Sequence, residues 1–246
     1  ERSENYQTSH FVRRIIAFLS KKMIKLVAFD YNGTLVADTR PIWEGVNKVL
    51  EAFDIKPVSH KQFLEDFDIP VSIAYKNHGL DLDLVEDGHQ KTSQIFHKFY
   101  EDRVSRIRTR ANTRKVLKFL EEKGMERIVF TNHTQVGVSK QLERLDLEKY
   151  LDAVFANSER HHALIQRHKG DKLKDYLHTK KLKGAEVLIV GDTIEEIQIA
   201  RDLGATVCSI THGNCSTRRL KAAKPNYLIG NLEELIPIIN KINYEK

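Results

Sequence analysis

Cysteine is scarce in this chain, with Cys208 and Cys215 the two such residues among 246. Their spacing matches neither a zinc site nor a redox motif, and a chain of this length needs no disulfide framework. They are read as reduced, partly buried thiols of a cytoplasmic protein. Long apolar runs are missing too. No stretch approaches the roughly 20 apolar residues of a membrane-spanning helix. Ile15 to Leu19 is too short for the core of a secretory leader and is flanked by basic residues on both sides. Extreme polarity is equally absent: with 41% hydrophobic and 30% charged residues, the composition is that of a globular chain and not of a disordered one. The length suffices to bury one good core with a second, smaller domain attached.

The formal net charge is +6. Basic residues concentrate at Arg103, Arg106, Arg108, Arg110, Arg114, Lys115 and Lys118, and again at Arg218, Arg219, Lys221 and Lys224. Such clusters can attract anionic substrates or nucleic acid. Without interleaved aromatics or a recognition motif they read as solvated helix faces, which weighs against nucleic acid as a partner. No feature of the sequence specifies an oligomeric state.

Residues 1–22 read as a separate N-terminal extension. Its polar start gives way to Phe11, Ile15, Phe18 and Leu19 on one helical face, and no function is assigned to it. From Ile24 the pattern changes. The compact apolar run Ile24-Lys25-Leu26-Val27-Ala28-Phe29 ends in Asp30, as a buried strand that delivers a carboxylate to a loop. Similar runs follow at Arg127 to Thr131, Ala153 to Ala156, Val187 to Val190, Thr206 to Ile210 and Tyr227 to Ile229. Helical patterns separate them at Thr113 to Lys123, Val138 to Leu145, Asp171 to Lys180, Glu195 to Leu203 and Leu232 to Ile239. Alternation of this kind predicts an α/β fold, a doubly wound parallel sheet with ligands beyond the carboxyl ends of its strands. Asp30, Thr131 and Asp192 each stand at such an end.

The interval 38–107 breaks the alternation. It shows helical patterns at Ile42 to Phe53, His60 to Asp68 and Val85 to Val104, with Pro41, Pro57 and Pro70 at or near helix starts or breaks. A helical insertion directly after the first strand belongs above the strand ends, where a lid would sit.

Four pieces can converge there. Asp30-Tyr31-Asn32-Gly33-Thr34-Leu35 offers an aspartate able to attack phosphorus, followed by a glycine that frees backbone N–H groups for phosphate oxygens. Thr131-Asn132 supplies a hydroxyl and an amide. His168-Lys169-Gly170-Asp171-Lys172 supplies an ammonium to steady the transferring group. Gly191-Asp192-Thr193-Ile194-Glu195-Glu196 places acids where a hard, oxygen-liganded cation could bind. Each piece alone is common. In this order on alternating strands they resemble the haloacid dehalogenase superfamily, from Met23 to the C-terminus, in its branch of phosphoglycolate phosphatases and β-phosphoglucomutases. The tail from Lys224 to Leu235 reads like that branch as well.

The resemblance implies a Rossmann-like core at 23–37 and 108–246 with a helical cap at 38–107. It implies Asp30 as nucleophile and Gly33, Thr131, Asn132 and Lys169 as phosphate-binding residues, with Lys172 the alternative lysine. It further implies Mg²⁺ as cofactor, held by Asp30, the backbone of Asn32, Asp192 and Glu196. The expected activity is hydrolysis of a small phosphorylated metabolite in the cytoplasm.

One position departs from the pattern. Phosphatases of this superfamily carry a second aspartate two residues after the nucleophile, and here Asn32 stands in its place. An amide donates hydrogen bonds but exchanges no proton near neutral pH, and positioned acid–base catalysis is worth roughly 10²- to 10⁴-fold. Four explanations stay open: a substrate whose leaving group needs little protonation, a proton from a neighbour such as His133, a protein that binds phosphorylated ligands without turnover, or an Asp-to-Asn exchange made to trap a complex. Asn32-Gly33 is also a deamidation-prone dipeptide. His161, His162 and His168 lack an acidic partner and read as surface histidines, while Trp43 and Tyr75 read as cap core.

Overall fold

The computed structural model describes residues 23–165 and 169–244; the N-terminal extension and His168 lie outside the described residues. Six strands alternate with helices: β1 (Leu26–Phe29), β2 (Glu126–Thr134), β3 (Ala153–Asn157), β4 (Val187–Gly191), β5 (Thr206–Ile210) and β6 (Tyr227–Ile229). They form one sheet in the order β3-β2-β1-β4-β5-β6, and every pairing is parallel. The chain winds outward to one side from β1 and then resumes on the other side at β4. The switch point therefore lies between β1 and β4, the place where open α/β sheets bind ligands.

The sheet is buried on both faces, which is why its strands read as near-continuous apolar runs. Val27, Phe29, Val129, Leu188 and Val190 join one core, and Leu26, Ala28, Ile128, Val187 and Ile189 the other. This alternation follows the two-residue repeat of a strand.

The interval after β1 contains helices α1 (Thr39–Ala52), α2 (His60–Asp66), α3 (Val71–Asn77) and α4 (Gly88–Val104), with no strand among these residues. Helix α3 has no counterpart in the sequence reading; it is seven residues long, too short for a periodic signal to emerge. Helix α1 starts three residues earlier than the periodicity suggested, so Pro41 falls in its first turn, where a missing N–H costs nothing.

Between and beyond the later strands lie α5 (Thr113–Glu122), α6 (Gln135–Arg144), α7 (His162–Ile165), α8 (Lys169–Lys180), α9 (Ile194–Leu203), α10 (Thr217–Ala222) and α11 (Leu235–Tyr244). Strand β2 runs three residues past its expected end, through an irregularity in its pairing with β3 between Phe130 and Thr134. Trp43 and Tyr75 behave as cap core: the Trp43 indole donates to the Val58 carbonyl at 2.8 Å, and Tyr75 is buried. Cys208 and Cys215 are buried and unbonded. No helix among the described residues is long and apolar enough to cross a membrane.

The reading of the arginines as solvated faces needs correction at three positions. Arg110 donates to the carbonyls of Gly33 and Thr211, Arg114 to that of Leu145, and Arg219 to that of Phe67. A guanidinium presents five donors in a rigid fork, and here that fork ties loops together instead of facing water.

Candidate active site

Asp30 follows β1 directly, and its backbone N–H donates to the Val190 carbonyl on β4 at 2.8 Å. The strand pairing across the switch point thus sets its position. Asp192 leaves the end of β4 on the neighbouring strand. Its Oδ1 accepts from the Thr34 hydroxyl at 2.7 Å and its Oδ2 from the Asn214 backbone N–H at 2.6 Å. Gly33 adopts φ +70°, and a Cβ there would stand 2.4 Å from Asp192 Oδ2. Conformation and space both demand glycine where the loop lies against that carboxylate.

Lys169, the first residue of α8, crosses to the same point. Its Nζ stands 3.0 Å from Asp30 Oδ1 and 3.0 Å from Glu195 Oε2, and it also donates to Glu196 Oε1. Lys172 does not reach the site; it donates to the Ala156 carbonyl and to Asn157 Oδ1 beside β3. Of the two lysines, Lys169 is the one at Asp30.

Glu196 stands beside Asp192 in the sequence, yet its oxygens are committed elsewhere. Oε2 accepts from the Thr193 N–H at 2.9 Å and the Thr193 hydroxyl at 2.7 Å, closing a capping box at the start of α9, while Oε1 takes Lys169. Glu195, which the sequence reading passed over in favour of its neighbour, faces the site as well, accepting from Asn132 Nδ2 at 2.7 Å. Asn132 Oδ1 and Glu195 Oε1 are buried without a partner among the described residues.

Asp30, Glu195 and Glu196 therefore share one ammonium, Asp192 lies in the same cluster without contacting it, and all five groups are buried. Burial pushes the Asp30 carboxyl well above its usual range; Lys169 opposes this, and Glu196 and Asp192 add to it. Burial and the nearby Glu196 raise Asp192 to about 7. Burial works against the charge on Glu196 too, but Lys169 and the Thr193 donors prevail and hold its pKa below the ordinary value. Burial disfavours the Lys169 charge, yet Asp30, Glu195 and Glu196 together keep its pKa well above normal. The cluster carries an excess of negative charge at the point where two strand ends meet. No set of three or more His, Cys, Asp or Glu side chains among the described residues converges on one metal position. A cation here would draw on two carboxylates, a backbone oxygen and solvent.

Thr131 lies at the same height, and its hydroxyl donates to Asn32 Oδ1 at 3.4 Å. The Asn32 amide donates to Asp38 Oδ2 at 2.5 Å and to the Tyr100 hydroxyl at 2.8 Å. That hydroxyl in turn donates to Asp38 Oδ2 at 2.6 Å, and the Gly33 N–H donates to Asp38 Oδ1 at 2.7 Å. Asp38 is fully buried. Neither Asp38 nor Tyr100 was singled out in the sequence. Asp38 had a faint signal, as an acid in the loop that follows Asp30; Tyr100, on α4, had none.

His133 lines the cavity above the site. Burial holds its pKa down at about 4, with His97 lowering it further and Glu101 opposing. The Tyr31 hydroxyl donates to Gln141 Oε1 at 3.1 Å, which turns the Gln141 amide NH₂ toward His133 Nε2 at 3.3 Å. That nitrogen accepts, the ring is neutral at pH 7, and His133 is not an imidazolium able to replace the missing acid. Near α7 the His161 and His162 rings pack edge to face, with no metal-ligating constellation about them among the described residues.

Known proteins are similar to this chain in sequence and in fold. A phosphoglycolate phosphatase from Vibrio parahaemolyticus is 24% identical over 229 residues, covering 90% of this chain and 98% of its own. A hydrolase from Pseudomonas syringae superposes with a TM-score of 0.73 at 16% identity, covering 89% of this chain and 99% of its own. A haloacid dehalogenase-like family hydrolase from Streptococcus pneumoniae gives a TM-score of 0.68 at 19% identity, with 87% and 98% covered. Residues 27–210 match the sequence profile of the haloacid dehalogenase-like hydrolases, so the chain belongs to that family of enzymes.

Proposed function

We propose that the protein is a Mg²⁺-dependent cytoplasmic phosphohydrolase that acts on a small phosphorylated metabolite through an aspartyl-phosphate on Asp30. The contact that carries this reading is Lys169 Nζ at 3.0 Å from Asp30 Oδ1, inside a buried cluster of carboxylates at the switch point. An ammonium there opposes the burial that raises the Asp30 pKa and leaves Oδ2 to attack phosphorus. The Thr131 hydroxyl would receive a phosphoryl oxygen, whereas the Gly33 N–H is already bound to Asp38 Oδ1 and would have to be released to do so. As the Asp30–phosphorus bond forms, the bond to the leaving oxygen breaks and that oxygen takes the electron pair. Water then cleaves the acyl-phosphate, releasing phosphate and restoring the Asp30 carboxylate. Residues 38–107 act as the cap over this chemistry.

The donor set fits a hard cation: oxygen ligands only, two carboxylates and surplus negative charge, in keeping with an ion that retains several of its waters. Asp30, Asp192 and the Asn32 backbone carbonyl would hold it, with Glu196 serving mainly through its grip on Lys169. When bound, the ion neutralises charge on the phosphoryl group and allows two anions to approach.

Asn32 gives this reading its limit and supports a second one, a protein that binds phosphorylated ligands with little or no turnover. The amide uses both of its protons, on Asp38 and Tyr100. A carboxylate at position 32 would have none to give and would face a buried acid. That network favours Asn32 as the protein's own residue over an exchange made to trap a complex. Phosphate release with acetyl phosphate and a panel of phosphate esters, with Mg²⁺ and with chelator, tests the first reading, and Asp30→Asn should abolish release. Tight binding of a fluoride-based phosphate mimic without turnover of any panel member would instead establish the second.

A further inference from the structure

The cavity above Asp30 has a chemical character that goes beyond phosphate recognition. It measures about 120 Å³, with Asp30, Asn32, Thr131 and Lys169 at its floor. Its walls are apolar, formed by Ile42, Val46, Phe67, Ile69, Tyr75 and Phe96. Phe96 stacks on Tyr100, with ring centroids 5.3 Å apart and planes at 14°, so a pair of aromatic rings contributes to one wall. The volume is of the order that admits a single ring; a cavity of about 150 Å³ lined by apolar side chains takes up benzene.

Polar side chains interrupt this lining, among them His97, His133 and Asn214, and two more stand side by side on α4. The hydroxyls of Thr92 and Ser93 on α4 border the cavity, are buried, and have no hydrogen-bond partner among the described residues. A helical Thr or Ser ordinarily returns its hydroxyl to a backbone carbonyl of the preceding turn. Here neither does, and a buried hydroxyl without a partner costs free energy until something fills its place. Among the described residues one arginine borders the cavity, Arg160, and it is exposed.

We infer that the leaving group is a single aromatic ring bearing a hydroxyl or carbonyl substituent, so that the substrate class is the monocyclic aryl phosphate esters. The inference rests on the hydrolytic reading above and specifies its substrate. The ring lies against the Phe96–Tyr100 wall, and its substituent meets Thr92 and Ser93. Asn32 agrees with it. A phenolic oxygen has an ordinary pKa of about 10, far below the 15.7 of water, so it departs as the anion. In the transfer, Asp30 Oδ2 bonds to phosphorus, the phosphorus–aryl oxygen bond breaks, and the phenolate takes its proton from solvent. No acid at position 32 is required.

The test compares kcat/KM for 4-hydroxyphenyl phosphate, phenyl phosphate, 2-phosphoglycolate and acetyl phosphate, all with Mg²⁺. The aryl esters should exceed phosphoglycolate by about 100-fold, the scale set by burying a ring. Acetyl phosphate reports the chemistry independently of the cavity. Turnover of acetyl phosphate with phosphoglycolate equal to or better than the aryl esters overturns the inference and leaves the hydrolytic reading standing. If no compound is turned over, the hydrolytic reading fails, and calorimetry of phenyl phosphate against phosphoglycolate then decides the cavity's preference: tighter phenyl phosphate upholds it, and equal or weaker binding overturns it. In the Thr92→Val/Ser93→Ala variant, discrimination between hydroxyphenyl and phenyl phosphate should shrink about tenfold. Unchanged discrimination in a variant with wild-type thermal stability would remove the two hydroxyls from the site.

Discussion

Asn32 Nδ2 donates to Asp38 Oδ2 across 2.5 Å, so the amide two residues after Asp30 is fitted to a buried acid six positions further on. An aspartate at position 32 would not be a simple restoration. Two carboxylates at that separation cannot both ionise, and one must hold a proton. We expect Asn32→Asp alone to lose about 1–3 kcal/mol of stability and to gain little rate on alkyl phosphates. Asn32→Asp/Asp38→Asn, which exchanges the two roles, should recover the stability and show the larger gain. Denaturant unfolding and alkyl-phosphate kinetics on both variants decide this, and a single variant as stable as the parent would refute the coupling.

The same network protects the Asn32-Gly33 dipeptide. Deamidation needs the Gly33 nitrogen to attack the Asn32 side-chain carbonyl, but that N–H is bound to Asp38 Oδ1 at 2.7 Å and the amide is held at both protons. Peptide mapping after prolonged incubation should find Asn32 intact in native protein and converted in denatured protein. Equal rates in the two states would contradict the observed hydrogen bonding.

Lys169 and Lys172 should separate sharply on mutation. Lys169→Met strands Asp30, Glu195 and Glu196 in a buried site, and breaking a buried ion pair costs about 3–5 kcal/mol; activity should vanish with it. Lys172→Met gives up hydrogen bonds to one carbonyl and one amide oxygen, worth about 1 kcal/mol, and activity should persist. Comparable losses in both would invalidate the assignment of Lys169.

His133 should make the fold acid-sensitive. Its pKa in the folded state is about 4, against an ordinary 6.5, so as pH falls the unfolded chain takes up the proton first. The stability it contributes is intact above about pH 6.5 and is lost as pH falls toward 4, up to about 3 kcal/mol. Unfolding free energies at pH 7 and pH 5 should therefore converge in His133→Gln relative to the parent. An identical pH slope in both proteins would mean that the imidazole charges freely in the fold.

Mg²⁺ should raise the unfolding midpoint, by about 2.7 kcal/mol at 100 times its dissociation constant, because it offsets the surplus charge around Asp30 and Asp192. In Asp192→Asn that gain should be largely lost. Differential scanning calorimetry with Mg²⁺ and with chelator measures it directly, and an equal shift in the variant would exclude Asp192 as a ligand.

Much of the frame was legible in the chain because it obeys local rules. Buried parallel strands must be apolar on both faces, so Val187–Gly191 and Thr206–Ile210 stand out against the helical periods between them. The candidate acids follow β1 and β4 immediately, which made Asp30 and Asp192 readable from position alone. Helix α3 was not legible, being shorter than a pattern, and the end of β2 was obscured by its irregular pairing.

What the amino-acid order determined by itself, then, was the alternating α/β layout, the helical interval after β1 and the strand-end residues Asp30 and Asp192, since each depends on neighbours within a few positions; Thr131, read as a strand end, lies inside β2. Tertiary structure decided the rest. It chose Lys169 over Lys172, committed Glu196 to Lys169 and Thr193, and brought Tyr100 to Asp38, 62 positions away, at 2.6 Å. It also left Thr92 and Ser93 facing an apolar cavity without partners. Such pairings arise where segments distant in sequence pack together, and no local propensity specifies which of two nearby side chains will turn toward the site.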